Sequence, residues 1–332
     1  MVNEIIKYFS ESRMVWVLTP DKYKGGGRVN VINKTVCDEN LIKRLKRARI
    51  NIVNCHTFYL FDVASKIAKR LNVPIVFTLH GVFIGIYGEK YNSLIKKISE
   101  KSVLVITVSE MYLKKLKKTF PLEASKFVKI QNGIKTLKPR YEKNKSPYIK
   151  YIIIPARLNK LKGLEYAAQA SRQLKNIRFC ICHPSGRKDN IEEYKYKNKL
   201  FKESGNFMHF KKLNHKNMML ETQKADLILL PSLIEGISIS ILESMSLGKI
   251  VAATRVGGSP EIIKDGVNGF LFKSKSTDSI IKTVDKISKI GLENKKAISK
   301  NAALTVRNKF DINTMLGQYK DIFNNLIDHE NK

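Results

Sequence analysis

Short apolar segments alternate with amphipathic helical segments along almost the whole chain, and this alternation limits the fold more than any other feature. The segment Phe61–Leu71 has a helical pattern, and the apolar segment Val73–Leu79 that follows it is typical of a buried strand. Repeated units of strand, helix and strand place their strands side by side in parallel sheets. The sequence therefore predicts an α/β protein built on parallel sheets.

The alternation is interrupted by one segment of different composition. Residues Lys135–Lys150 contain two prolines, many charged residues and few apolar ones, which is typical of a linker. A chain of 332 residues is also longer than one ordinary domain. We therefore predict an N-terminal domain over residues 1–140, a linker over 141–150 and a C-terminal domain over 151–311. The last segment, 312–332, has apolar residues at helical spacing and is predicted to be a terminal helix.

The chain is strongly basic, with a net charge of +32. Lysine and arginine exceed the acidic residues in both halves of the chain, so the charge does not form one basic tail or arm. A basic surface favours anionic partners such as phosphates, acidic lipids or nucleic acid. No recognised nucleic-acid-binding motif accompanies the charge. We therefore expect no specific nucleic-acid partner, and nucleic-acid binding is an alternative that rests on charge alone.

The lengths of the apolar runs and the spacing of the cysteines indicate the cellular compartment of the protein. No run reaches the roughly 18 apolar residues that a membrane-spanning helix needs, and the first residues lack the features of a signal peptide. We therefore expect a cytoplasmic protein.

The cysteines include no C-x-x-C pair, which favours buried reduced thiols over a zinc site. Cys180 and Cys182, two residues apart on one predicted strand, are expected to share a face but to be poorly placed for each other.

Two glutamates flank the loop after an apolar strand at Leu227–Leu230. Open α/β sheets bind small ligands at the carboxyl ends of their strands. Glu235 precedes the segment Gly236–Ile239, whose backbone N–H groups lead into a helix and can face an anion. Glu243 lies three residues after Ser240, so a helix-capping box is an alternative role for it. Glu235 has no comparable structural explanation.

Two cations follow another predicted strand. Arg157 and Lys162 lie between the strand Tyr151–Pro155 and a helix that begins at Gly163. A helix N-terminus with two cations suits a diphosphate. The alternative is an ordinary solvated basic loop, which is common in so basic a chain.

Two histidines, His56 and His80, each lie where an apolar strand ends. Strand ends in one sheet bring both side chains near the same edge. A functional role and a simple turn cap are equally good interpretations of His56. His80 precedes a glycine, which lets the backbone approach a ligand closely, and we favour a functional role for it. His80, His183 and His209 do not have the spacing of metal ligands.

The segment Pro231–Phe272 resembles the signature region of the retaining glycosyltransferases of family 4, which have the GT-B fold. The family pattern is P-S-x-x-E-G with a second glutamate eight positions after the first, followed by G-x-P/I-V-V-A, G-G-x-x-E and D-G-x-N-G-x-L. Here the glutamate pair is Glu235 and Glu243, and the later motifs read GKIVAATRVGGSPEIIKDGVNGFLF. Shorter matches include TLHGVF at His80, IQNGI at Asn132 and the ARLNKLKG segment.

The resemblance implies two Rossmann-like domains facing across a cleft, the terminal helix packing back towards the first. It implies transfer of a sugar from a nucleotide-sugar donor to an acceptor hydroxyl, with retention and without a metal ion or other cofactor. The catalytic residues would be Glu235, His80, Arg157 and Lys162. The donor-binding residues would be Arg157, Lys162, Glu235, Gly236, Ile237, Ser238, Ile239 and Glu243. In this scheme the two cations hold the diphosphate, Glu235 and His80 contact the donor sugar, and Glu243 holds the ribose.

The start of the chain departs from the family pattern. Family members begin with a strand and a loop of paired glycines, whereas Asn3–Ser12 here resembles the helix after that loop, and Met14–Pro20 the next strand. The only candidate glycines, Gly25–Gly27, are followed by VNVIN, a β-like segment. We therefore expect an N-terminal domain that lacks its first strand and glycine loop. A catalytically impaired homologue that binds nucleotide sugar without efficient transfer is the alternative function.

We expect the donor to be a UDP- or GDP-sugar and the acceptor a glycan or lipid-linked glycan. The Lys-rich segments Tyr91–Lys101 and Met111–Lys118 suit peripheral contact with anionic lipid at the inner face of the membrane. An ordinary solvated helix face is the alternative interpretation. A nucleotide-sugar epimerase of the same fold fits the Glu235 and Glu243 pair less well.

Overall fold

A computed structural model describes the chain over residues 1–11, 15–18, 29–32, 37–80, 89–139, 148–185, 191–205 and 207–330. Its strands are β1 (Val15–Leu18), β2 (Val29–Ile32), β3 (Val53–Cys55), β4 (Ile75–Leu79), β5 (Leu104–Thr107), β6 (Phe127–Lys129), β7 (Tyr151–Pro155), β8 (Arg178–Pro184), β9 (Met208–Leu213), β10 (Leu227–Leu230), β11 (Val251–Thr254) and β12 (Phe270–Phe272). Its α-helices are α1 (Val2–Ser10), α2 (Glu39–Arg47), α3 (Phe61–Leu71), α4 (Glu89–Lys101), α5 (Glu110–Thr119), α6 (Leu164–Gln173), α7 (Ile191–Glu203), α8 (His215–Lys224), α9 (Ile239–Ser246), α10 (Ser259–Ile262), α11 (Thr277–Ser288), α12 (Leu292–Lys309) and α13 (Ile312–Glu330).

The contacts divide the chain into two compact units. The first unit comprises Met1–Gly133 and Ile312–Lys332, and the second comprises Ile134–Asp311. Strand pairs between named strands of the described residues are all parallel, which confirms the predicted α/β architecture. In that part of the chain no helix is long and apolar enough to cross a membrane.

The first unit is built on a four-stranded sheet in the order β3-β4-β5-β6. All five residues of β4 are buried, because helices cover both faces of the sheet. On one face Phe77 packs in a cluster with Phe61 of α3 and Ile95 of α4. On the other face Val76 packs in a cluster with Tyr319 of α13. The terminal helix therefore completes the core of the first unit.

A separate two-stranded sheet pairs β1 with β2 in parallel, Val15 opposite Val29. The strand expected within Met14–Pro20 is observed at Val15–Leu18, and the β-like segment after Gly27 forms β2. The candidate glycines Gly25–Gly27 lie outside the described residues.

The second unit is built on a six-stranded sheet in the order β12-β11-β10-β7-β8-β9. The chain passes from β7 outwards to β8 and β9, and then returns to the other side of β7 with β10. This reversal of strand order is a topological switch point, and the crevice outside the carboxyl ends of β7 and β10 is where sheets of this kind bind ligands. Apolar residues of one sheet face, including Ile152, Phe179 and Leu229, form its largest described core cluster with α6, α7 and α11.

The structure places residues 134–139, predicted to belong to the first domain, in the second unit. Ile134 donates its backbone N–H to Phe310 at 2.9 Å, and the backbone N–H of Leu137 donates to Ser246 Oγ at 2.7 Å. The domain boundary was predicted from local composition, which does not show these contacts because they join residues far apart in sequence. Most of the predicted linker, residues 141–147, lies outside the described residues.

Candidate functional site

The loops after β7 and β10 lie against each other at the switch point of the second unit. Leu233 donates its backbone N–H to the Leu161 carbonyl at 2.8 Å. Gly163 has a φ of +58°, and a Cβ at this position would overlap the Pro231 carbonyl oxygen. A residue with a side chain would therefore separate the two loops. The close approach brings the side chains of both loops into one site.

An ion pair joins these loops. Lys162 Nζ lies 2.5 Å from Glu235 Oε1, and Ser232 Oγ donates a hydrogen bond to the same oxygen at 2.7 Å. The side chains of Lys162 and Glu235 are only 26% and 12% exposed, so this pair is screened by water less than a surface pair. The structure thus brings together two of the predicted site residues. Arg157 is exposed on the loop that follows β7.

Glycines also shape the loop that carries Glu235. Gly257 has a φ of +56°, and a Cβ there would overlap the carbonyl oxygen of Glu235. Gly258 donates its backbone N–H to the Gly236 carbonyl at 2.9 Å. The two glycines therefore act as a backbone support for Glu235. Pro260 lies in the first turn of α10, where proline is well tolerated.

The alternative role of Glu243, in a capping box with Ser240, is wrong. Helix α9 begins at Ile239, and its N-cap residue, Ser238, makes no side-chain capping bond. Glu243 instead extends towards α8, where its Oε1 lies 2.7 Å from His215 Nε2. Glu243 therefore contacts His215, a residue of another helix, and does not cap its own helix as the S-x-x-E spacing suggested. Residues Gly236–Ile239 lead into the N-terminus of α9, and their contact with a donor stays a prediction.

His215 is a candidate site residue that the sequence reasoning missed. It is the first residue of α8, which Asn214 caps by accepting a hydrogen bond from the backbone N–H of Asn217 at 2.8 Å. Its side chain is 72% exposed, while that of Glu243 is 18% exposed. A local signal was present, because an asparagine that precedes a helical segment is a good N-cap. It predicts that His215 begins a helix, and the structure places this helix start just after β9.

The two histidines of the first unit are in direct contact. His56 Nδ1 lies 2.7 Å from His80 Nε2, and the two rings lie edge to edge, with centroids 5.0 Å apart and planes at 20°. The cause is the parallel pairing of β3 with β4, which aligns Cys55 with Phe77. The prediction that two strand ends bring these residues to one edge is confirmed. Gly81, the glycine after His80, lies outside the described residues.

Burial keeps both imidazoles neutral. It lowers the pKa of His56 from its ordinary value of 6.5 to about 3, with a further contribution from neighbouring His80. It also lowers the pKa of His80 to about 4. Two neutral rings can share one N–H···N hydrogen bond, in which one nitrogen donates and the other accepts.

The cysteines are free thiols, and three of them, Cys55, Cys180 and Cys182, are buried. The Sγ atoms of Cys180 and Cys182 lie 3.8 Å apart, closer than expected from the sequence, since side chains of one strand face can lean towards each other. Within the described ranges, no three His, Cys, Asp or Glu side chains are grouped so as to hold a metal ion.

Comparison with known proteins identifies the family. Residues 135–305 match the family model of glycosyl transferases group 1, and residues 10–138 match that of Glycosyltransferase Family 4. The first match alone covers more than half of the 332 residues. This chain belongs to the glycosyl transferases group 1. The resemblance identified from Pro231–Phe272 is thereby confirmed.

A related group 1 protein is an uncharacterized glycosyltransferase of Methanocaldococcus jannaschii. It is 26% identical over 261 residues, which cover 72% of this chain and 66% of that relative. The chain spans two thirds or less of the length of the curated relatives that it matches.

Solved structures share the fold over 98% of this chain. Sucrose-phosphate synthase from Thermosynechococcus elongatus matches with a TM-score of 0.81 at 16% identity, over 92% of its own chain. Anabaena Alr3699/HepE in complex with UDP-glucose matches with a TM-score of 0.79 at 17% identity, over 94% of its own chain. At these identities the likeness concerns the fold, and this chain has the GT-B fold predicted from its sequence.

Proposed function

We propose that this group 1 chain transfers a sugar, a hexose by preference, from a nucleotide-sugar donor to an acceptor hydroxyl, with retention at the anomeric carbon and without a metal ion. The observation that carries the proposal is the cluster of Lys162, Glu235 and Ser232 at the switch point of the second sheet. A cation and a carboxylate at one site suit a donor that has both a diphosphate and sugar hydroxyls.

The chemical role of the cations follows from the charge that develops in the reaction. As the bond between the anomeric carbon and the phosphate oxygen breaks, negative charge accumulates on the leaving diphosphate. In our proposal Lys162 and the exposed Arg157 neutralise this charge, which is the work that a metal ion does in other enzymes. The N-termini of α6 and α9, next to the two loops, add the positive end of a helix dipole.

Glu235 has the complementary role. Its carboxylate accepts hydrogen bonds, and we propose that it accepts them from hydroxyls of the donor sugar while Lys162 turns towards the diphosphate. Glu243 would accept hydrogen bonds from the ribose. Retention is proposed from the family resemblance of the Glu235 and Glu243 spacing. The solved complex of HepE contains UDP-glucose, so UDP-sugars are the first donors to test and GDP-sugars the second.

We propose that the acceptor is a glycan or lipid-linked glycan, reached by peripheral docking on anionic membrane from the cytoplasmic side. Support comes from α5, where Lys114, Lys115, Lys117 and Lys118 are exposed. Leu122, in the turn after α5, is 94% exposed. An apolar residue beside several cations suits the interface of an acidic bilayer.

Sedimentation with lipid vesicles tests the membrane contact separately from transfer. We expect the chain to sediment with phosphatidylglycerol vesicles and to stay in the supernatant with neutral phosphatidylcholine vesicles. The double variant Leu122→Ser with Lys117→Ala should lose the binding to the acidic vesicles. Equal sedimentation of the wild type with both kinds of vesicle would contradict an electrostatic contact.

The main experiment measures transfer from radiolabelled UDP- and GDP-sugars by the full chain, with a membrane extract as acceptor. We expect transfer that survives EDTA, a product whose anomeric configuration equals that of the donor by NMR, and strong loss in Glu235→Gln and Arg157→Ala. Lys160→Ala is the matched control, because Lys160 is an exposed neighbour of Lys162 in the same turn. Full activity in both site variants would refute the site. Binding of nucleoside diphosphate by calorimetry without any transfer would favour the impaired-homologue alternative.

A further inference from the structure

The histidine pair of the first unit has a geometry that a simple turn cap does not require. A cap needs a hydrogen bond to the backbone, whereas here His56 Nδ1 and His80 Nε2 bond to each other at 2.7 Å. The ring centroids are 5.0 Å apart and the planes lie within 20° of each other, so the hydrogen bond runs close to the plane of both rings, which is the favourable direction for an N–H donor and a nitrogen lone pair.

The shared hydrogen bond links the tautomers of the two rings. If His56 Nδ1–H donates, neutral His80 carries its own proton on Nδ1 and can donate from that atom. If His80 Nε2–H donates, Nδ1 of His80 is bare and can only accept. The state of His56 therefore decides whether the second nitrogen of His80 is a donor or an acceptor. Such coupling needs two neutral rings, and the lowered pKa values of both histidines keep them neutral at physiological pH.

The strands around the pair hold it in place. Thr78 Oγ1 donates to Asn54 Oδ1 at 3.1 Å, a second side-chain hydrogen bond between β3 and β4. Both bonded residues precede the histidines by two positions, so the strand ends are tied together next to the rings. This second bond touches neither imidazole and provides a matched control.

We propose that His56 is a positioning residue, whose Nδ1 hydrogen bond holds the His80 imidazole in one tautomer and one orientation for the transfer reaction. The inference rests on the proposed function and on the role that the family resemblance implies for His80, which is contact with the donor sugar. The competing explanation is that the pair only joins β3 to β4.

The first arm of the test observes the tautomer directly. In the full chain labelled with ¹⁵N-histidine, NMR shifts of the ring nitrogens distinguish the two neutral tautomers. We expect one tautomer of His80 in the wild type, a mixture in His56→Ala, and one tautomer again in His56→Asn, whose side-chain amide can replace Nδ1. An unchanged His80 spectrum in a folded His56→Ala variant would overturn the proposal.

The second arm measures transfer. We expect His56→Ala to lower kcat about 10- to 100-fold with a smaller change in the donor KM, since misplacing a reacting-site group by about 1 Å can cost a factor near 100. His56→Asn should recover most of this loss, and Thr78→Val should retain kcat. Equal losses in Thr78→Val and His56→Ala, without rescue by asparagine, would show a role in joining strands only. If the wild type transfers no sugar, the proposed function fails, while the NMR arm still decides whether His56 controls His80.

Discussion

The two sheets present different chemistry at the same structural position. At the carboxyl ends of β3 and β4, the neutral edge, two half-buried imidazoles share a hydrogen bond. At the carboxyl ends of β7 and β10, the charged edge, Lys162 pairs with Glu235. Parallel sheets expose strand ends in both units, so the architecture alone does not select a ligand. The side chains at the strand ends differ, and we propose that the charged edge binds a diphosphate and the neutral edge binds uncharged hydroxyls.

The largest expected effect tests this assignment of charge. Lys162→Met removes a cation from the charged edge, and we expect transfer to fall about 100- to 1,000-fold, the usual cost of losing one donor that stabilises developing charge. Nucleoside diphosphate affinity, measured by calorimetry, should fall as well. His80→Asn should lower transfer without changing that affinity. Equal losses of nucleotide affinity in Lys162→Met and His80→Asn would contradict the assignment of the diphosphate to the charged edge alone.

The second prediction concerns the backbone of the charged edge. Gly257→Ala introduces a Cβ that overlaps the Glu235 carbonyl oxygen at a φ of +56°. We expect a loss of about 2–4 kcal/mol in the free energy of unfolding by denaturant, from strain and overpacking together. Gly317→Ala is the control with the opposite sign. Its Cβ meets no atom within 4 Å and lies inside α13, so it should stabilise the chain by about 0.5–1 kcal/mol.

The third prediction separates the two units by pH. The imidazoles have a pKa of 6.5 when unfolded and about 3 and 4 when folded, so the unfolded chain binds more protons below pH 6.5. The first unit should therefore lose stability as the pH falls from about 6.5 to about 4. Each group contributes a slope of at most about 1.4 kcal/mol per pH unit.

In the second unit the acid-sensitive group is Glu221, which accepts hydrogen bonds from Tyr151 and Lys211, both at 2.6 Å. Burial raises its pKa, but the hydrogen bonds from Lys211, Tyr151 and Lys224 outweigh this and lower it to about 2. Its contribution is complete above pH 4.5 and is lost between about 4.5 and 2.

Hydrogen exchange, followed by mass spectrometry of peptides from each unit, measures the two windows. His56→Asn should reduce only the loss of stability of the first unit between about pH 6.5 and 4. Glu221→Gln should reduce only the loss of stability of the second unit between about pH 4.5 and 2. If both units lost protection from exchange over the same pH range, the pH dependence would not distinguish them.

The smallest expected effect is at His215. His215 contacts Glu243 through one exposed hydrogen bond, which contributes about 1 kcal/mol, so His215→Ala should weaken nucleoside diphosphate binding only about fivefold. Lys216→Ala, an exposed neighbour on the same helix, should have no effect. A loss comparable to that of Lys162→Met would place His215 among the main ligands of the charged edge.

Much of the secondary structure could be predicted because its signals are local. The helix Phe61–Leu71 and the strands Tyr151–Pro155 and Leu227–Leu230 were predicted with their observed bounds. Periodicity of apolar residues determines such elements within a few turns of chain. Strand β12 was missed, because its three residues directly follow the segment DGVNG, whose composition is typical of a loop.

The sequence by itself determined the α/β class, the family and the loops that carry Lys162, Glu235 and His80, since apolar periodicity and motif spacing are properties of neighbouring residues. Only the tertiary structure decided which side chains meet. Lys162 and Glu235 are 73 positions apart, and His56 and His80 are 24 apart. Glu243 shows the physical reason most directly. Its spacing from Ser240 suggests a local cap, but a partner 28 positions away lies within hydrogen-bonding distance once α8 packs beside α9.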